Sequence, residues 1–461
     1  MTDVSVTPIP AVGGSQDAFY RRDALVPLPV IDRASGIRMW DTDGNEYIDA
    51  SSGPMVSALG HCNPRVLAAM AEQAGRLDYA YTRVARNGPN LEYAQRLCAL
   101  TGPGFERVFL TSGGSEAVDA AVKFLRCHAV ATGRQSRRRV ITLEPSYHGA
   151  TIAATAMTGD RSLETLLDGF ALASDKVPAP LGYRLPEGET VESYAERCAE
   201  ALEAGIVSAG SENVLAFVLE PVGGLSTGAV VPPPSYFTRI REICSRHGVR
   251  LVFDEILCGS GRSGRFVTAH HWPDSMPDLV VVAKGLGAGY SPLGAVLAPA
   301  SLVDELATLG GFESSYSYNA NPISCAVGLA VLEEIERLDL VRRAEVAGSL
   351  LRHGLEEIAE TSPIVGDVRG MGLLLAVELV ADKETKAPLP PTTLPTERIR
   401  IHGLRNGVML YSRETSGGRY GHWFMVAPPL TITDAEIGEL LQRTEASVGD
   451  LYRELCAEGV V

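Results

Sequence analysis

Positive charge is in short supply in this chain: 41 lysines and arginines face 56 aspartates and glutamates, a net charge of −15 over 461 residues. A nucleic acid or an anionic membrane surface needs a basic face, so neither is an expected partner. Long apolar runs are missing, as is a basic-then-apolar leader, so neither membrane insertion nor export is expected. The opening stretch, Met1 to Gly14, is polar, bears proline and glycine, and is expected to be loosely ordered. Eight cysteines are scattered without metal-ligand or disulfide-framework spacing, the usage of a cytoplasmic protein with reduced thiols. Cys62, Cys258 and Cys325 lie near the motifs described below and read best as small buried packing residues. No internal repeat is evident. What remains is an ordinary globular balance, 45% hydrophobic and 21% charged, on a chain long enough to bury a large core.

Buried-strand patterns recur along the middle of the chain, and each ends on residues with chemistry. Residues 108–111 feed Ser112-Gly113-Gly114-Ser115-Glu116. Residues 139–143 lead into Tyr147 and His148, and 214–219 run into Glu220. Residues 249–256 carry the paired acids Asp254 and Glu255, and the apolar run 279–283 ends on Lys284. Helical spacing intervenes at Ala117, Ala120, Ala121, Phe124 and Leu125, and again over 236–246 and 323–335. This alternation, from about residue 63 to 338, implies an α/β fold with a mostly parallel sheet covered on both faces. In such sheets functional groups gather at the carboxyl ends of the strands.

Taken singly, each strand exit has an ordinary explanation. A lone lysine is most often a loop residue reaching for water, and an aspartate after a strand most often caps a turn. Ser-Gly-Gly-Ser before Glu makes a plain helix N-cap. It also makes a phosphate cradle, because small residues let backbone amides approach an anion at a helix N-terminus. That loop has no Gly-Lys-Ser/Thr and no Gly-x-Gly-x-x-Gly, so neither a Walker-type nor a dinucleotide loop fits it. Taken together, the exits match the needs of pyridoxal 5'-phosphate. That cofactor requires a desolvated amine for an imine, a phosphate cradle, an aromatic face, and an acid to keep the pyridine nitrogen protonated. Lys284, the Ser112–Ser115 loop, Tyr147 and Asp254 are the candidates.

The motifs resemble the class III aminotransferases, pyridoxal-phosphate enzymes of the fold-type I aspartate-aminotransferase superfamily. The resemblance runs from Met39-Trp40-Asp41-Thr42-Asp43-Gly44 to Ala427-Pro428-Pro429-Leu430. It is most specific at Phe253-Asp254-Glu255-Ile256, Gly261-Arg262-Ser263-Gly264, Ala283-Lys284-Gly285-Leu286 and Pro292-Leu293-Gly294-Ala295-Val296. It implies that Ser112, Gly113, Gly114 and Ser115 hold the phosphate, with Tyr147 stacked on the ring beside His148, and Glu220 nearby. It further implies Asp254 at the ring nitrogen, Ile256 on the opposite ring face and Lys284 as the Schiff-base lysine. Ser317, in Ser317-Tyr318-Asn319-Ala320-Asn321-Pro322, matches a segment that reaches the partner subunit's phosphate, although the family's Gly-His is Ala-Asn here. A homodimer or higher homo-oligomer with shared active sites follows from the resemblance. So does a division into an N-terminal segment (1–62), a large cofactor-binding domain (63–340) and a C-terminal part (341–461), the two end segments forming a smaller α/β domain.

The implied reaction moves an amino group from an amine donor to a keto acid in two half-reactions. Family members specialised for 2-oxoglutarate carry a glutamate that gates an arginine; here that position is Leu225, and a family glutamine is replaced by Leu257. The pattern is similar to the pyruvate-using ω-aminotransferases, which place a mobile arginine before Ala-Pro-Pro-Leu. Tyr411 occupies the usual arginine position, and Arg413 and Arg419 follow in an insertion, each also explicable as a solvated loop charge. Met55, Tyr79 and Tyr81 are expected to line the substrate pocket. Aminomutase, racemase or decarboxylase chemistry on the same cofactor, or a 2-oxoglutarate-dependent transamination, is the alternative.

Overall fold

The structure, a computed structural model, describes residues 28–167 and 174–461, so the Met1–Gly14 stretch lies outside the described residues. An antiparallel meander comes first, β1 (Ile31–Ser35), β2 (Arg38–Asp41) and β3 (Glu46–Asp49). Seven strands then build the main sheet: β4 (Arg107–Thr111), β5 (Arg139–Glu144), β6 (Ser174–Pro178), β7 (Val214–Leu219), β8 (Arg250–Asp254), β9 (Leu279–Val282) and β10 (Gly294–Ala298). A hairpin follows, β11 (Val365–Met371) and β12 (Leu374–Asp382), with short β13 (Ala387–Pro388) paired to β12. Last come β14 (Val408–Met409), β15 (Tyr411–Ser412) and β16 (His422–Val426). β14 pairs in parallel with β3, which ties the two ends of the chain into one sheet.

The main sheet has the order β4-β10-β9-β8-β7-β5-β6. Pairing is parallel from β9 to β6, and β10 runs antiparallel to both of its neighbours. Strands buried on both faces show continuous rather than alternating hydrophobicity, and the structure separates their side chains by parity. Ile141, Phe217, Leu219, Leu251, Phe253 and Val280 join one core cluster. Val140, Ala216, Val218, Val252, Leu279 and Val281 join the cluster on the opposite face. There the helix Gly114–Ala131 presents Ala117, Ala120, Ala121, Phe124 and Leu125, as its spacing predicts. A separate core lies among the meander, the long helices Leu340–Thr361 and Asp434–Ala457, and the alternate residues Leu375, Val377 and Leu379 of β12.

Two expectations need amendment. The strand predicted over 249–256 ends at Asp254, where the Asp254 carboxylate accepts the Ile256 N–H and turns the chain. Cys62 is exposed rather than a buried packing residue, at a left-handed φ of +56°, whereas Cys258 and Cys325 are buried as expected. Among the described residues no helix is long and apolar enough to cross a membrane, and no group of three His, Cys, Asp or Glu is placed to hold a metal.

Candidate active site

Because β4, β5, β7, β8 and β9 run in one direction, their carboxyl ends open onto one edge of the sheet. A cavity of about 540 Å³ lies there. Ser112, Gly113, Gly114 and Ser115 line it, as do Tyr147, His148, Glu220, Asp254, Ile256 and Lys284. The sheet therefore brings together residues that are up to 172 positions apart in sequence, from Ser112 to Lys284.

Lys284 follows β9 through Ala283 and stands at φ +44°, a left-handed conformation unusual for a side chain of this size. Gly285 and Gly287 make that turn possible. A Cβ on Gly285 would come within 2.7 Å of the Ser260 Cβ, and one on Gly287 within 2.1 Å of the Ser291 carbonyl oxygen. Burial pushes the Lys284 amine down to about 8, against the charges of Asp254 and Glu220, which raise it. That downward shift enlarges the neutral fraction, the form in which an amine is a nucleophile.

Asp254, the last residue of β8, is buried. Its Oδ2 lies 2.8 Å from His148 Nδ1, and its Oδ1 accepts the Ile256 N–H at 3.1 Å. His148 is anchored in turn by its own N–H, donated to Thr158 Oγ1 at 3.0 Å. Its Nε2 is buried without a partner among the described residues. Glu220 accepts the Tyr147 N–H on one oxygen and the Gly224 N–H on the other, each at 3.0 Å. Burial pushes its carboxyl up to about 7, opposed by His148 and assisted by Asp254. It thereby fixes the Tyr147 backbone across two strand exits. Glu255, by contrast, points away and accepts the Thr268 and Ala269 N–H groups, a structural task.

The loop after β4 favours the cradle over the plain cap. The helix Gly114–Ala131 starts at Gly113 with no side-chain cap, so its first amides keep their capacity to bind an anion. Glu116 accepts the Ser112 N–H, and Ser115 Oγ accepts the Ala150 N–H. A Cβ on Gly114 would meet Ile256 Cδ1 at 2.9 Å, so Gly114 is glycine for packing. A Cβ on Gly113 would meet no atom within 4 Å and would project into open space. An uncapped helix terminus, a clear approach at Gly113, a desolvated amine and a buried acid facing one cavity fit pyridoxal phosphate.

The remaining candidates divide. Leu225 and Leu257 both line the cavity, and Trp423 Nε1 donates to the Leu225 carbonyl at 2.7 Å, holding that loop in place. Arg413 lines the cavity with Tyr411, since residues two apart in an extended run share a face. Arg419 does not reach it: its guanidinium is exposed and lies 5.8 Å from the Tyr420 ring centroid. Met55 is buried, and its neighbours Pro54 and Val56 line the cavity in its place, set by a loop with left-handed Ser52, Gly53 and Met55. Tyr79 and Tyr81 are likewise elsewhere, bonded to the Ser317 carbonyl and to Ser315 Oγ. Ser317 is exposed on that loop, outside its own chain's cavity. Sequence reasoning missed Asp160, which pairs with Arg413 at 3.4 Å. No spacing signal links positions 253 apart, so only the fold reveals the pair.

Comparison with known proteins identifies the family. The model of the class III aminotransferase family matches residues 19–448. An uncharacterised aminotransferase of Bacillus subtilis, YodT, is 33% identical over 433 residues, covering 93% of this chain and 96% of YodT. The diaminobutyrate–2-oxoglutarate transaminase of Halomonas elongata is 32% identical, covering 96% of this chain and 94% of its own. Among solved structures, an amine transaminase from an uncultivated Pseudomonas species in a pyridoxal-phosphate-bound form superimposes with a TM-score of 0.86. It shares 33% identity, covering 96% of this chain and 98% of its own. The chain therefore belongs to the class III aminotransferases, enzymes of fold type I that work with pyridoxal phosphate.

Proposed function

We propose that this enzyme transfers an amino group from an amine or ω-amino acid to a small keto acid, pyruvate in preference to 2-oxoglutarate, by a ping-pong route through Lys284. The observation that carries the proposal is one cavity lined by Lys284, Asp254 and the Ser112–Ser115 loop together with Leu225 and Arg413. Pyridoxal phosphate, when bound, supplies the aldehyde that captures the donor amine and the ring that draws electrons from the substrate carbon.

Ser112, Gly113, Gly114 and Ser115 would hold the phosphate, and Tyr147 and Ile256 would hold the ring. Asp254 holds a proton on the ring nitrogen, its plane fixed by His148 and by the Ile256 N–H. Lys284 Nζ is the amine that would hold the cofactor's aldehyde carbon, and once freed it would serve as the acid–base group for the reacting carbon. The apolar side chains of Leu225 and Leu257 favour a donor without a second carboxylate, and Arg413 supplies a cation for the acceptor's carboxylate. Ser317 completes the phosphate site of a partner subunit in a homodimer. A cytoplasmic location is supported by eight cysteines, all of them free thiols.

Steady-state kinetics on the holoenzyme with benzylamine as donor tests the acceptor assignment. The expected result is a higher kcat/KM for pyruvate than for 2-oxoglutarate, with alanine formed in step with benzaldehyde. A clear preference for 2-oxoglutarate would refute the argument from Leu225.

A further inference from the structure

Resting on the reading of Arg413 as the carboxylate-binding cation, we infer that Asp160 sets substrate choice by competing with the keto acid for Arg413. The Asp160 side chain is only 2% exposed, whereas that of Arg413 is 33% exposed and borders the cavity. Their contact, Arg413 Nη2 to Asp160 Oδ2 at 3.4 Å, is long for a charge-assisted hydrogen bond. The guanidinium also lies over the Tyr147 ring, 5.2 Å from its centroid.

The two oxygens of Asp160 have different duties. Oδ1 accepts the Ser162 N–H, the Ser162 hydroxyl, the Ser416 N–H and the Ser416 hydroxyl, at 3.1, 2.7, 3.1 and 3.4 Å. Neutral donors therefore stabilise the carboxylate without help from Arg413, and Oδ2 is left to face the arginine. A buried acid that depended wholly on the ion pair would resist losing it. This one tolerates separation. The neighbouring Arg161 donates from its Nε to Glu144 and from its backbone N–H to Ser416 Oγ.

The consequence is a partition of one cation between two anions. With an uncharged donor side group in the cavity, Arg413 rests against Asp160 and its charge is neutralised outside the pocket. With a keto acid present, the substrate carboxylate takes Arg413 through a bidentate pair that Asp160 does not make. Leu225 has no charge to offer for this purpose, and Asp160 supplies it from a different loop.

Asp160→Asn preserves an acceptor for the four Oδ1 bonds and removes the charge. On the scale of a partly exposed ion pair, kcat/KM for pyruvate should rise about fivefold and kcat/KM for benzylamine should fall by a similar factor. Each quantity reports its own half-reaction, so the two move in opposite directions. Arg413→Met should do the reverse, lowering kcat/KM for pyruvate by a much larger factor than kcat/KM for benzylamine. In the double variant Asp160→Asn should then have no further effect on pyruvate.

Asp160 also holds Ser416 at φ +50°, so the competing account is a purely structural role. In that case both specificity constants would fall together in Asp160→Asn, and the losses in the double variant would add. Either result overturns the inference. If the wild type uses 2-oxoglutarate instead of pyruvate, the acceptor assignment fails on its own. The Asp160 inference is then decided by the same ratio measured with 2-oxoglutarate.

Discussion

At the scale of single residues, the site depends on matching each ionisable group to its surroundings. Burial favours the neutral forms of Lys284 and Glu220, and Asp254 is held in place by His148 Nδ1 on one oxygen and the Ile256 N–H on the other. Asp254→Asn keeps the size and the polar contacts and removes the charge. Its expected effect is a fall of orders of magnitude in the single-turnover rate of proton transfer, with the fold intact, because a buried neutral amide costs less than an unpaired carboxylate. An unchanged single-turnover rate would remove Asp254 from the role. Lys284, Asp254, Tyr147 and Ser112 to Ser115 were legible in the sequence because strand exits in a parallel sheet converge on one edge. Pocket walls were not. Met55 gave way to Pro54 and Val56 because a run of left-handed residues turns its side chain into the core, and no local pattern announces that.

At the scale of elements, the phosphate loop distinguishes two reasons for glycine. Gly114 is required by Ile256, so any larger residue there disturbs protein packing first. Gly113 has an extended φ of 173° and no protein atom in the path of a Cβ, so the fold itself does not require glycine there. Gly113→Ala should therefore leave the thermal midpoint of the apo protein unchanged and weaken pyridoxal phosphate by about tenfold, or about 1.4 kcal/mol. Equal cofactor affinity in that variant would place the phosphate elsewhere. The β4–helix junction was readable from Ser-Gly-Gly-Ser, yet the choice between cap and cradle was not. It turned on the absence of a side-chain cap at Gly113 in the folded chain.

At the scale of the whole molecule, the β3–β14 pairing joins the chain's two ends, and on that basis we propose the division at 62/63 and 340/341. Ser317 lies on an exposed loop with Tyr318, which is 66% exposed, away from its own chain's cavity. If Ser317 serves the partner's phosphate, Ser317→Ala loses a hydrogen bond to a charged group worth about 1.5–3 kcal/mol. Cofactor affinity should then fall by about one to two orders of magnitude. Mixing Ser317→Ala chains with Lys284→Ala chains should restore part of the activity, because one site of each mixed dimer carries both lesions and the other neither. Active monomers in native mass measurement would contradict this. The shared site was suggested by the resemblance of one short segment. The sheet order and the three separate cores were not written in any single segment, because they depend on pairings between distant strands.

Lys284 is the proposed amine that holds the cofactor, and Lys176 is a second, half-buried amine to weigh against it. Burial also pushes Lys176 down to about 8, but its Nζ donates to Thr142 Oγ1, Ser174 Oγ and the carbonyls of Ala156 and Met157, which commits it to the fold. The most direct test is borohydride reduction of the pyridoxal-phosphate-loaded enzyme, followed by peptide mass mapping. The predicted result is a phosphopyridoxyl group on Lys284 alone; the group on Lys176 or any other lysine, with Lys284 unmodified, would contradict the account.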